Sequence, residues 1–277
     1  MPNPQLTRDK KLRHFLTTEG LPRAMLLDVL ERIDDKRRRG LTPPCGTAPH
    51  RVVEAFYTPD GLSSAALELL VAAQAITLER ASPLDLAADK PADVASHARP
   101  GVLLLLRHAE SGAAHAVAPF LSGTAGLVNV QDGEHAAGID ALQDLMTLRE
   151  RVPQLHNAVI ALAGDLVHSP RLRALVHALT TLGVPELRVR HLGATLPAGL
   201  DALGVRGFEH DDPSVCAGVD AFLSCEDALS DAAVRACVFG ALFDVMNAAM
   251  NEAMAHSPGG AAAGTSSDAS NDARVSP

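Results

Sequence analysis

An uninterrupted apolar segment near the middle of the chain most constrains its fold. The segment 102–106 is VLLLL, preceded by Gly101 and followed by Arg107 and His108. An apolar run without alternation is typical of a strand buried on both faces, as in a parallel sheet. We therefore predict a buried parallel strand with Arg107 at its carboxyl end, where open α/β sheets bind their ligands.

Arg107 has two interpretations at this stage. Its planar guanidinium is suited to bind phosphate or carboxylate oxygens in pairs. Alternatively, it is a surface arginine that simply follows a core strand. The segment alone leaves both interpretations open.

Apolar strand patterns and amphipathic helix patterns alternate along most of the chain. This alternation predicts an α/β protein with two doubly wound parallel-sheet domains joined by long helices. We expect a flexible N-terminus over 1–10, a first domain over 11–152 that the helix 231–255 closes, a second domain over 153–230, and a disordered tail over 256–277, which is rich in Gly, Ala, Ser and Asp. Strands are predicted at 51–56, 76–78, 126–130, 159–163, 187–190 and 222–223, and helices at 21–40, 62–75, 113–120, 138–151, 169–182 and 231–254.

Composition excludes several classes of partner. The net charge of −9, with no Trp and one Tyr, disfavours nucleic acid and anionic membranes. The four cysteines lack CxxC spacing, so we expect neither a zinc site nor disulfides, and no metal site. No signal segment or membrane-spanning run is recognised, and we expect a cytoplasmic protein.

Several segments resemble aspartate carbamoyltransferase in the same order and with similar spacing. Between residues 12 and 225 they are LRHFLTTEGLPRAMLLDVLERID, LLLLRHAESGAA, NVQDG, ALQDLMTLRE, ALAGDLVHS and LTTLGVPELRV, with a weaker match at VMNAAMNEAM. The resemblance implies a carbamoyl-phosphate domain followed by an aspartate domain. It also implies transfer of a carbamoyl group to aspartate in pyrimidine synthesis, without a cofactor, by a trimer with shared active sites.

The positions at which that family binds carbamoyl phosphate are changed here. Its S-T-R-T-R segment corresponds to 57–64, YTPDGLSS, which contains no arginine. Asp60 is expected near the helix N-terminus, where its charge disfavours phosphate. Asp85 stands about where the family has a lysine, and Lys90 lies nearby. The H-P-T-Q motif aligns with 137–140, AGID, and His135 lies two residues before it.

The aspartate-binding positions are also changed. The family's G-D-x-x-H-S-R motif keeps His168, but Pro170 replaces its arginine and Arg171 follows. Its M-L-R-x-Q segment aligns with 224–228, SCEDA, which contributes two acids. Arg107 and His108 are kept.

The resemblance, together with the changed binding positions, favours a catalytically silent relative. Such a chain is either a homotrimer or a structural or regulatory partner of an active carbamoyltransferase chain. We assign no catalytic residue; Arg107 and His135 are residual candidates, and the candidate ligand-binding residues are Arg107, His108, His168 and Arg171. One alternative is an active transferase for aspartate or another amine, with a rearranged site that uses Arg107, His135, Lys90 and Arg171. Another is a sensor that binds a small anionic or amino-acid ligand between the domains.

Overall fold

Two parallel sheets form the framework of the protein. The computed structural model describes residues 3–41, 51–56, 61–80, 91–96, 98–121, 124–193 and 198–255. The first sheet has the strand order β1-β5-β4-β2-β3 and the second has the order β8-β7-β6-β9, with parallel pairing throughout. The predicted α/β fold with two parallel sheets is therefore confirmed.

The helices and strands follow the predicted alternation. The strands are β1 (His14–Phe15), β2 (Arg51–Phe56), β3 (Ile76–Arg80), β4 (Val102–His108), β5 (Gly126–Asp132), β6 (Val159–Gly164), β7 (Glu186–His191), β8 (Val205–Phe208) and β9 (Ala221–Ser224). The helices are α1 (Arg23–Arg39), α2 (Gly61–Ala72), α3 (Pro91–Ser96), α4 (Ala113–Val117), α5 (Gly138–Arg151), α6 (Pro170–Leu182) and α7 (Ala232–Ala255).

The central strand β4 is buried, as its sequence predicts. Its residues 102–106 are at most 4% exposed, and β4 lies between β2 and β5. The order in which successive strands are added to the sheet reverses between β2 and β4 in the first sheet and between β6 and β9 in the second. Ligand sites of open α/β sheets form at the carboxyl ends of strands that flank such a reversal. Arg107, near the end of β4, stands at one of these positions.

The long helix α5 connects the two sheets along the chain. It follows β5, the last strand of the first sheet, and precedes β6, the first strand of the second. Its apolar face packs against α6 and α7, and Leu142, Leu145 and Leu148 are fully buried. The proposed domain boundary at residue 152 coincides with the end of this helix, and the division into two domains stays a prediction.

Helix α7 corrects the expectation that no segment reaches a membrane-spanning length. By length and composition this helix could cross a membrane, but 67% of its apolar window is buried inside the protein. It packs against α1 and α2, and Lys36 of α1 pairs with Asp244 of α7 at 2.7 Å. These contacts are those of a core helix.

The N-terminal segment makes specific hydrogen bonds through Gln5, and the predicted flexibility of residues 1–10 stays a prediction. Gln5 is 2% exposed, and its side-chain oxygen accepts hydrogen bonds from the backbone N–H groups of Leu16 and Thr17. Its side-chain nitrogen donates to the carbonyl of Glu19. A polar side chain inside a short loop gave no sequence signal of this anchoring. The predicted disordered tail lies outside the described residues.

Candidate functional site

Arg107 and His108 lie at the carboxyl end of β4, in register with the end of β5. Arg107 is paired with Gln131 and His108 with Asp132 after a register shift that follows Leu106. The Arg107 guanidinium donates to the side-chain oxygen of Gln131 at 3.3 Å. The Nδ1 atom of His108 accepts from the backbone N–H of Glu110 at 3.0 Å. The position predicted for Arg107 is therefore observed; its side chain contacts the neighbouring strand β5, and that of His108 contacts the loop that follows β4.

Gly133 brings the loop after β5 against the loop after β4. Its φ is +51°, and its N–H donates to the carbonyl of His108 at 2.8 Å. A Cβ atom here would lie 2.7 Å from the carbonyl oxygen of Ala109 and 2.8 Å from the backbone nitrogen of Ser111. Such distances are too short for a real Cβ, so the glycine of the NVQDG segment is required for this close approach.

His135 lies in the same loop and faces Asp132 and His115. Its Nδ1 atom is 3.5 Å from the Oδ1 of Asp132, and its ring meets that of His115 edge to face at 4.9 Å. Burial lowers the pKa of His115, and the charge of His135 lowers it further, against the opposite effects of the Asp132 and Glu19 carboxylates. His115 was not singled out from the sequence.

The loop before α6 carries Asp165, His168 and Ser169, which match the G-D-x-x-H-S-R motif of the family that the sequence resembles. Ser169 caps the helix by accepting from the N–H of Leu172 at 3.2 Å, and Pro170 occupies the first turn. His168 Nδ1 lies 2.9 Å from the Oδ2 of Asp165. This hydrogen bond raises the pKa of His168 and lowers the pKa of Asp165 to about 2.

Arg171 is held by the protein itself. Its Nε and Nη2 atoms each donate to the Asp144 carboxylate at 2.7 Å, and its Nη1 donates to the carbonyls of Cys225 and Asp227 at 3.3 and 2.6 Å. Burial lowers the pKa of Arg171, but the hydrogen bonds and the charge of Asp144 raise it above its ordinary value. The guanidinium is therefore charged and already occupied by a carboxylate.

Arg173, two residues further along α6, bridges the two halves of the chain. Its guanidinium donates to the carbonyls of Leu166 and Val167 in the loop before α6. It also donates to the carbonyl of Glu134 in the loop after β5. The sequence assigned no role to this residue, because no local pattern shows that a second loop approaches it.

A third arginine, Arg235 of α7, is buried beside the first turn of α2. It donates to the hydroxyl of Ser63 at 2.8 Å and to the side-chain oxygen of Gln143 at 2.7 Å, and it forms an ion pair with Asp140. Ser63 belongs to the segment that replaces the family's phosphate-binding motif, and Asp140 to the one that replaces H-P-T-Q. Sequence reasoning missed Arg235 because the contact joins positions 172 residues apart.

A cavity of about 340 Å³ lies between α5, the start of α6 and the segment before α7. Its charged lining residues are two arginines and four acids: Arg151, Arg171, Asp144, Glu150, Asp227 and Asp231. The excess of negative charge disfavours a dicarboxylate in this cavity.

The predicted site residues thus form two groups. Arg107, His108 and His135 lie together at the ends of β4 and β5, whereas His168 and Arg171 lie at the start of α6. Arg173 connects the groups through Glu134. Asp60, Asp85 and Lys90 lie outside the described residues.

Similar architectures occur among solved structures, although no protein-family model matches the sequence. The ornithine carbamoyltransferase of Burkholderia thailandensis is 16% identical with a TM-score of 0.68, and the match covers 86% of this chain and 100% of that one. The aspartate transcarbamoylase of Trypanosoma cruzi bound to N-(phosphonacetyl)-L-aspartic acid is 13% identical, with a TM-score of 0.62 and coverages of 90% and 98%. The catalytic subunit of the M. jannaschii aspartate transcarbamoylase is 15% identical, with a TM-score of 0.61 and coverages of 88% and 99%. The chain therefore has the fold of the aspartate and ornithine carbamoyltransferases.

Proposed function

We propose that this chain is a catalytically silent relative of the aspartate carbamoyltransferases. It keeps the fold and acts in the cytoplasm either as a homotrimer or as a structural or regulatory partner of an active carbamoyltransferase chain. The observation that carries the proposal is the occupation of Arg171 by Asp144. Because Nε and Nη2 of Arg171 bind the buried Asp144 carboxylate and Nη1 donates to two backbone carbonyls, the guanidinium has no pair of donors left for a substrate carboxylate.

Two other arginines that the protein engages support the same conclusion. Arg173 is engaged by three backbone carbonyls, and Arg235 is buried against Asp140. Cations that neutralise the protein's own acids and carbonyls stabilise the fold, and they add little positive potential for a dianionic donor. Carbamoyl transfer depends on such oriented cations and donors, and the loss of one oriented donor alone lowers a rate by about 10²- to 10³-fold.

The partner role rests on analogy with similar structures. The similar M. jannaschii protein is described as the catalytic subunit of an aspartate transcarbamoylase. We infer that a chain with this fold and without the cationic site retains a surface for another carbamoyltransferase chain or for its own copies.

Two measurements test this proposal together. The purified protein is incubated with carbamoyl phosphate and L-aspartate, then with L-ornithine, and the carbamoylated product is quantified against an intact carbamoyltransferase. Size-exclusion chromatography with light scattering is run on the chain alone and mixed with an active chain from the same organism. We expect no product, together with a trimer mass or co-elution. The proposal would be contradicted if the protein forms product and Arg107→Ala abolishes it. It would also be contradicted if the chain is a monomer that does not co-elute with the active chain.

A further inference from the structure

Three potential metal ligands meet at the carboxyl edge of the first sheet. His115 lies in α4, Asp132 ends β5, and His135 lies in the loop that follows. One ligand atom from each of the three side chains lies within 4.8 Å of the other two. Residues from three separate elements thus converge, although 17 residues separate His115 from Asp132 along the chain.

Asp132 is buried and held in place by three hydrogen bonds. The residue is 0% exposed. Its Oδ1 accepts from the Asn129 side chain at 2.9 Å and from the N–H of Ala136 at 3.1 Å, and its Oδ2 accepts from the N–H of Ala114 at 3.3 Å. A carboxylate accepts about four hydrogen bonds, so Oδ2 keeps one lone-pair position. Such supporting contacts orient the ligands of metal sites.

A buried carboxylate such as that of Asp132 is stabilised by a neighbouring cation. Buried carboxylates are normally paired or coordinate metals. Over the described ranges, Asp132 forms an ion pair with no arginine or lysine, and the ionisable groups near it are His135, at 3.5 Å, and His115. A divalent ion between the side chains would neutralise this carboxylate.

His115 supplies a nitrogen that lacks a partner. Its Nδ1 atom is buried and, in the described part of the chain, makes no hydrogen bond. An unsatisfied buried polar atom is costly, and native proteins rarely retain one without a water or an ion. Coordination of an ion beside Asp132 would satisfy this atom.

We propose that His115, Asp132 and His135 form a binding site for Zn²⁺ or another divalent transition metal ion of similar size. Two imidazoles and one carboxylate are a donor set that suits Zn²⁺, Co²⁺ and Ni²⁺, whereas Mg²⁺ and Ca²⁺ prefer oxygen ligands alone. Tetrahedral coordination at about 2.0–2.1 Å places ligand atoms about 3.3 Å apart. The His135 side chain, which is 41% exposed and lies in a loop, can make the small movement that closes the site.

The site leaves at least one coordination position for a water molecule or an external ligand, since it has three protein ligands. Gln131, adjacent to Asp132, accepts a hydrogen bond from Arg107, so the ion would lie at the same sheet edge as that arginine. The inference departs from the expectation that the chain holds no metal, which stays a prediction that the experiment below tests. It is independent of the proposed lack of carbamoyl transfer, because an active chain could hold the ion equally well.

The test uses the full chain, without a histidine tag and freed of metal with a chelator. Binding of Co²⁺ is followed by its visible absorption and binding of Zn²⁺ by calorimetry. The variants are His135→Gln and His115→Gln, and the matched control is His156→Gln, which replaces an exposed histidine outside the cluster. The exposed His135 makes the first variant safe for folding, and circular dichroism verifies it.

We expect one ion per chain, with tetrahedral Co²⁺ absorption. The two cluster variants should lower the affinity by more than about 100-fold, since even loss of a supporting contact lowers metal affinity 10- to 100-fold. His156→Gln should bind like the wild type. Absence of stoichiometric binding, or binding that His135→Gln and His115→Gln leave unchanged, would overturn the proposal.

Discussion

The Arg171–Asp144 pair can be tested by replacing the acid with its neutral isostere. Both side chains are largely buried, with exposures of 14% and 2%, and two hydrogen bonds of 2.7 Å join them. Removing one partner of a buried pair costs about 3–5 kcal/mol, because the other charge remains buried. Asp144→Asn keeps one acceptor oxygen, and Arg171 keeps its two backbone carbonyls. We therefore expect the lower end of the range, about 3 kcal/mol.

Unfolding is measured in urea and by heating, with far-ultraviolet circular dichroism as the probe because the chain has no Trp. A loss of about 3 kcal/mol should lower the Tm by about 6–12 °C for a chain of this size. The control is Asp34→Asn, which removes the more exposed pair between Asp34 and Arg149, whose side chains are 33% and 25% exposed. That change should cost less than about 1 kcal/mol.

A double-mutant cycle with Arg171→Met separates the pair from general damage. The double variant Asp144→Asn/Arg171→Met should be more stable than the sum of the single changes predicts, since neither charge is then left alone. If Asp144→Asn destabilises the protein no more than Asp34→Asn, Arg171 is not held by Asp144. Arg171 would then not be withdrawn from substrate binding.

Three further results are expected. In urea unfolding, Gly133→Ala should lower the free energy of unfolding by about 1–3 kcal/mol more than Gly112→Ala does. Both glycines have a positive φ, but only at Gly133 would a Cβ press against backbone atoms. Equal losses would contradict the close approach. The thiol of Cys225, whose pKa burial raises to about 12, should react with iodoacetamide at pH 8 only after unfolding, as peptide mass spectrometry would show, and rapid labelling of the native protein would be inconsistent with its burial. An NMR titration should give His168 a pKa above 6.5, and Asp165→Asn should return this pKa toward 6.5. The pair should stabilise the fold most between pH 3.8 and 6.5. The contribution of His168 is lost as pH rises through its raised pKa, and the contribution of Asp165 is lost as pH falls toward about 2. An unshifted His168 would refute this pair.

The fold could be predicted because its signals are local. The apolar run of β4 needs no partner to be recognised, and α6 carries its own start and end signals in Ser169 and in Gly183, which has a φ of +81°. Strand β1 was missed because it has only two residues, and β8 was missed because only one of its four residues, Val205, is a buried apolar residue. Helix α2 ends at Ala72 rather than at residue 75, and the nearby Gln74 adopts a positive φ of +54°.

The site was predicted less completely because its contacts are long-range. The position of Arg107 follows from strand order alone. The capture of Arg171 by Asp144 depends on how α5 packs against α6, and the contact of Arg173 with Glu134 depends on how two loops meet. His115 and His135 had no recognised spacing, since the fold brings their loops together. These contacts depend on tertiary packing, so the sequence of any one segment does not predict them.

The central claim is that Arg171, Arg173 and Arg235 are engaged by the protein itself. The chain therefore cannot hold a dianionic donor together with a dicarboxylate. N-(phosphonacetyl)-L-aspartic acid, the compound bound to the T. cruzi protein, combines a phosphonate with an aspartate moiety and so tests both requirements at once. Its binding is measured by isothermal titration calorimetry with the wild type and Arg107→Ala. We predict no saturable binding, which corresponds to a Kd weaker than about 1 mM. Saturable binding at micromolar concentration that Arg107→Ala removes would contradict the account.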